Sequence, residues 1–168
     1  MPDSTAPAPV VIVMGVSGCG KTTVGKRLAK RLNVPFLDAD DFHPPENIAK
    51  MQSGQPLQDT DRIPWLDILS KLLQDHQYNG VVLACSALRQ RYRDHLITGL
   101  VHARFIYLKG SFDEIYTRMK LRNHFMPASL LKSQFSTLEE PQEAIVLDIS
   151  EDVETLVNKA YRNLHKSG

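Results

Sequence analysis

Five short apolar runs punctuate the chain, at Val10 to Met14, Pro35 to Asp38, Val81 to Cys85, Arg104 to Leu108 and Ala144 to Ile149, and helical patterns separate them. Continuously apolar strands that alternate with helices build a parallel sheet covered on both faces, so the expected fold class is α/β. Between the runs, Val24, Leu28, Ala29 and Leu32 make one helical stripe, with Lys26, Arg27 and Lys30 on a solvated opposite face. Pro64 suits a first helical turn, and Trp65, Ile68, Leu69, Leu72 and Leu73 follow at helical spacing, which makes Trp65 a core residue. Ser111 and Glu114 read as a capping box ahead of Phe112, Ile115, Tyr116 and Met119. Val153, Leu156, Val157, Ala160, Tyr161 and Leu164 repeat the stripe at the end. The segment from Arg122 to Pro127 mixes basic, polar and proline residues between two helical patterns and suits a mobile connection.

Directly after the first run, Gly15-Val16-Ser17-Gly18-Cys19-Gly20-Lys21-Thr22, with Thr23 behind it, fits GxxxxGK[ST] at every constrained position. Glycines let the backbone curl until successive N–H groups point inward, and the following helix adds the positive end of its dipole. Lys21 is placed to reach terminal phosphates and Thr22 to offer a hydroxyl to Mg²⁺. A nucleotide triphosphate is the expected ligand. The glycine order does not fit the G-x-G-x-x-G of a dinucleotide fold. Cys19 sits beside a helix start, where a thiolate is favoured; the alternative is a small tolerated side chain.

Composition narrows the setting. The chain has 168 residues, 42% hydrophobic and 23% charged, the size and make-up of one domain with a substantial core. Twenty basic against nineteen acidic residues leave a formal charge of +1, so no global field draws in nucleic acid or an anionic membrane. Cys19 and Cys85 have neither disulfide-framework nor zinc-site spacing, and a reducing cytoplasm fits them best. Residues 1–9, MPDSTAPAP, read as a disordered tail without leader character, and no apolar run approaches the roughly 20 residues of a spanning helix.

Ligands of open α/β sheets bind beyond the carboxyl ends of the strands. After the second run come Asp38-Ala39-Asp40-Asp41-Phe42-His43. Phosphoryl transfer to an alcohol asks for one carboxylate to take the hydroxyl proton and another to support Mg²⁺, and Asp38 and Asp40 supply both. The alternative is an acidic turn, or a cap for the helix that Pro45 begins. Asp59 to Arg62 precede the Trp65 helix, and Ser86 to Arg89, with Arg91, Tyr92 and Arg93, follow the third run. Arginine at a helix start does not serve the dipole, so Arg62 and Arg89 point to anion recognition; a solvated surface arginine is the alternative, and it weighs more for Arg91 and Arg93. The third run ends without the acid that many P-loop ATPases place there, which weakens motor and GTPase readings. Arg118 and Arg122 stand one helical turn apart and are expected to fold over a triphosphate as part of a lid.

With these residues in hand, the chain resembles the gluconokinases, relatives of shikimate and nucleoside monophosphate kinases, through MGVSGCGKTTVG, FLDADDFHPPENIAKM, GQPLQDTDRIPWL, VVLACSALRQRYRD and HFMPASLLKSQFSTLEEP. The resemblance implies a P-loop kinase fold over 10–168, with a five-stranded parallel sheet, helices on both faces and a mobile lid at about 118–136. It implies ATP and Mg²⁺ as cofactors, D-gluconate as the acceptor phosphorylated at its 6-hydroxyl, and a small cytoplasmic homodimer. It assigns Lys21, Asp40, Arg118 and Arg122 to catalysis and Thr22 and Asp38 to the metal. Asp40, His43, Arg62, Arg89, His124 and Gln134 fall to the acceptor, with Arg89 serving acceptor or phosphate. Arg62 is the expected partner of the gluconate carboxylate, because a guanidinium fork meets a carboxylate bidentately. The family's R-x-G-H-F is here Arg122-Asn123-His124-Phe125, one residue shorter and without the glycine. A shikimate-like or nucleoside monophosphate kinase, or a non-catalytic nucleotide switch, stands as the alternative.

Overall fold

The computed structural model describes residues 9–122 and 127–165, so nearly all of the expected tail, and His124, lie outside the described residues. Its strands are β1 (Val10–Met14), β2 (Phe36–Asp38), β3 (Val81–Ala84), β4 (Arg104–Lys109) and β5 (Ile145–Asp148), joined in one parallel sheet of order β2-β3-β1-β4-β5. Its helices are α1 (Lys21–Leu32), α2 (Pro45–Gln52), α3 (Asp59–Asp75), α4 (Gln90–Leu96), α5 (Phe112–Leu121), α6 (Ala128–Thr137) and α7 (Val153–Leu164).

The two-residue period of β1 divides the core. Val11 and Val13 face a cluster with Val24 and Leu28 of α1 and Leu156 and Ala160 of α7. Val10, Ile12 and Met14 face a second cluster with Trp65, Leu69 and Leu73 of α3 and Leu96 of α4. All five β1 residues are buried, which is why this strand reads as uninterrupted apolar sequence. β1 lies between β3 and β4, with β2 and β3 added on one side of it and β4 and β5 on the other, so the strand order reverses at β1. The loop after it occupies the crevice where such folds bind ligands.

One helix begins earlier than its proline suggests. α3 starts at Asp59 because Asp61 Oδ2 accepts the Gln58 backbone N–H at 2.9 Å, closing a capping box, and Pro64 lies inside the helix. Asp59 to Arg62 therefore form its first turn rather than a preceding loop. The acid cluster resolves similarly: Asp38 caps a short 3-10 helix, Ala39–Phe42, by accepting the Asp40 N–H at 3.0 Å, while Pro44 takes the N-cap of α2. The Ser111 and Glu114 capping box forms as expected, with both bonds at 3.1 Å.

Candidate active site

The phosphate loop runs from β1 into α1 through backbone conformations that side chains resist. Gly20 caps α1 at φ 102°, and Gly18 takes φ 83° with its α-carbon so near α5 that a Cβ would lie 2.7 Å from Met119 Cγ. Lys21 folds back along the loop, its ammonium donating to the carbonyls of Gly15 at 3.0 Å and Val16 at 3.1 Å.

A cleft of about 470 Å³ opens over this loop. Ser17, Gly18, Gly20, Lys21, Thr22 and Thr23 line it from the phosphate loop and the start of α1, Asp38 and Asp40 from the end of β2, and Met119 and Arg122 from the α5 side. Thr22 Oγ1 donates to Asp38 Oδ2 at 3.4 Å, so the hydroxyl and carboxylate expected to serve a metal are adjacent. Mg²⁺ takes oxygen ligands, commonly one or two from protein, with phosphate and water completing its shell, and this pair fits that demand. Among the described residues no group of three or more His, Cys, Asp or Glu is arranged to hold a metal by itself.

Asp40 opens to the cleft, yet surrounding protein desolvates its carboxyl and raises its pKa above the ordinary 3.8; the nearby charges of Asp38 and Asp41 push the same way, while Lys21 and His43 oppose. His43 lies close enough for its charge to act on Asp40, and Arg62 acts on His43 in turn. The imidazole stacks on Trp65, centroids 4.2 Å apart at 13°, and Trp65 Nε1 donates to Ala39 O at 2.8 Å. Arg62 donates to Tyr92 Oη at 3.1 Å and stands 3.7 Å from Asp59 Oδ1, while Tyr92 Oη donates to Asp59 at 2.7 Å. Arg91 pairs with the same carboxylate.

The remaining expected residues are not gathered so closely. Arg89 is the half-buried N-cap of α4. Arg118 hydrogen-bonds the Ile149 carbonyl at the end of β5, and Arg122, a turn later, reaches the cleft, so the two guanidiniums face different surroundings. Gln134 of α6 binds the phosphate loop, accepting the Ser17 N–H at 2.7 Å and donating to Ser17 Oγ at 2.9 Å. The reactive-thiolate reading of Cys19 is corrected. Its side chain is 1% exposed, and burial raises the thiol pKa against the pull of Lys21, so the small buried side chain is the reading that stands.

Residues 17–161 match the family model described as Shikimate kinase. The thermosensitive gluconokinase of Escherichia coli is 45% identical over 150 residues, spanning 84% of this chain and 80% of that protein. The probable gluconokinase of Mus musculus is 50% identical, spanning 79% and 83%. The chain belongs to the gluconokinase family. A crystal structure of a gluconokinase from Sinorhizobium meliloti superposes with a TM-score of 0.87 at 40% identity, covering 94% of this chain and 91% of that one.

Within this gluconokinase framework several residues take supporting roles that the sequence does not assign them. Asn47, 3% exposed, bonds His43, and Tyr92 and Asp59 hold Arg62. Arg93, read as surface, is 1% exposed; it donates to Ala87 O at 2.6 Å and Glu139 O at 2.7 Å, tying the loop after β3 to the strap after α6. A lone polar residue early in a helix gives no sequence signal of burial. The sequence offers only its position four residues after His43, which puts the two within reach of one another and says nothing of burial.

Proposed function

We propose that this chain transfers the terminal phosphoryl group of ATP to the 6-hydroxyl of D-gluconate, giving 6-phospho-D-gluconate and ADP. The observation that carries this reading is that Lys21 and Asp40 line one cleft, a phosphate cradle beside a carboxylate of raised proton affinity, in a chain of the gluconokinase family.

The chemistry follows from the residues of the cleft. The phosphate loop and Lys21 supply donors and positive charge for a triphosphate, with Val16 and Cys19 contributing backbone groups. Thr22 and Asp38 would hold Mg²⁺, which supplies charge neutralisation on the phosphate oxygens when bound. Asp40 orients the acceptor hydroxyl and takes its proton, a role suited to a carboxyl whose pKa lies above the usual range. Arg62, aimed by Tyr92 and Asp59, meets the acceptor carboxylate, and His43 donates to the acceptor. Arg122 covers the transfer from the α5 side, with Arg118 behind it, as the lid expected at about 118–136. Arg89 serves acceptor or phosphate, and Gln134 steadies the phosphate loop. A single catalytic domain over 10–168, acting as a cytoplasmic homodimer, completes the proposal; no helix among the described residues is long and apolar enough to cross a membrane.

An acceptor screen tests it. ATP consumption measured with gluconate, shikimate and nucleoside monophosphates should rise with gluconate alone; stimulation by another acceptor would reassign the substrate, and none by any would favour a nucleotide switch.

A further inference from the structure

Asn47 is an amide with both hydrogens committed. Its Nδ2 donates to the Asp61 carbonyl oxygen at 3.0 Å and contacts His43 Nδ1 at 3.2 Å. A carbonyl only accepts, so the Asp61 oxygen fixes which end of the Asn47 carboxamide is nitrogen. The second Nδ2 hydrogen then points at His43 Nδ1, which must offer its lone pair. A ring turned over by 180° would set a C–H against that hydrogen and lose the bond. Trp65 fixes the plane of the imidazole by stacking, and Asn47 fixes its rotation within the plane. The single ring proton therefore resides on Nε2, which has no hydrogen-bond partner among the described residues.

We propose, building on the acceptor cleft described above, that Asn47 is a positioning residue: it locks His43 as the Nε2–H tautomer, so that His43 meets the acceptor as a hydrogen-bond donor and proton abstraction falls to Asp40 alone. An imidazole already carrying its proton on the free edge cannot take another there. Protonation at Nδ1 would break the Asn47 bond. The charged groups acting on the ring are consistent with a neutral donor: burial lowers the His43 pKa most, Arg62 of α3 lowers it further, and Asp40 of the 3-10 helix opposes. The consequence is a division of labour in which one residue only gives a hydrogen bond and its neighbour only accepts a proton.

The test reads the tautomer directly. In the ¹⁵N-labelled full chain near neutral pH, with His43 signals assigned through His43→Gln, Nδ1 should appear pyridine-like and Nε2 pyrrole-like. Asn47→Asp replaces the donor by a carboxylate that only accepts, and the proton should move to Nδ1 or the ring should become imidazolium. Where the proton moves to Nδ1, Nε2 loses its hydrogen and gluconate KM should rise about tenfold, the scale of one lost hydrogen bond, with ATP KM within about twofold of wild type; an imidazolium keeps its Nε2 hydrogen and should leave gluconate KM near wild type. A pyrrole-like Nδ1 in the wild type overturns the proposal. So does an unchanged tautomer in Asn47→Asp with unchanged gluconate KM. The spectrum needs no turnover, so a failed acceptor assignment leaves the tautomer result standing, and if Asn47→Asp does not fold the wild-type spectrum decides.

Discussion

Gln134 holds Ser17 at two points, accepting its backbone N–H and donating to its hydroxyl oxygen, across 117 positions of sequence. Helix α6 is thereby tied to the tip of the phosphate loop. Replacing Gln134 by Ala removes both bonds, each contributing on the order of 1 kcal/mol net. Because the contact is made to the phosphate loop, Gln134→Ala should raise the KM for ATP several-fold and leave gluconate KM near wild type. Steady-state kinetics with each substrate varied in turn check this; the opposite split would return Gln134 to the acceptor.

The Thr22 and Asp38 pair yields a metal prediction. Asp38→Asn keeps a cap for the 3-10 helix through its amide oxygen but removes the negative charge beside Thr22. The Mg²⁺ concentration for half-maximal activity should increase by roughly tenfold, while the fold survives by thermal melting. An unaltered Mg²⁺ titration would place the metal elsewhere.

Asp40 links activity to stability with opposite signs. Its folded pKa lies above the unfolded 3.8, so the ionised carboxylate burdens the folded state fully at pH values above the raised pKa, and that burden fades as pH falls from the raised pKa to 3.8 and is gone below it. Asp40→Asn should therefore melt higher than wild type at pH 7, the advantage disappearing in acid, while kcat drops on the order of 10²-fold. In the wild type, kcat/KM should decline on the acid side through a pKa above the ordinary carboxylate range. Melting curves and rates across pH settle both.

Arg118 and Arg122 separate by their partners. Arg122→Ala, at the cleft, should lower kcat more than it weakens gluconate binding. Arg118→Ala loses the Ile149 carbonyl and should lower both kcat and the melting temperature. Wild-type turnover in both variants would remove the lid from catalysis.

Much of this arrangement was legible in the chain because it depends on periodicity and on one tightly constrained loop. The β1 alternation, the α/β succession and the GVSGCGKT run each specify local geometry through near neighbours, and the expected strands fall within a residue or two of those formed. α3 began a turn early because a capping box formed by Gln58 and Asp61 outweighed the helix-start signal of Pro64. What stayed hidden depends on partners distant in sequence. Burial of Arg93 follows from carbonyls of Ala87 and Glu139, and Gln134 reaches Ser17 only after the sheet has assembled. Cys19 looked activated because its helix position is visible in sequence and its burial is not.

Phosphorus and carbon NMR of the product formed from ATP and ¹³C-gluconate by the full chain bears most directly on the whole reading. A phosphomonoester coupled to C6, accumulating in step with ADP and absent with Asp40→Asn, is the predicted result. A phosphoryl group on another carbon, or ADP formed at the same rate without gluconate, would contradict it.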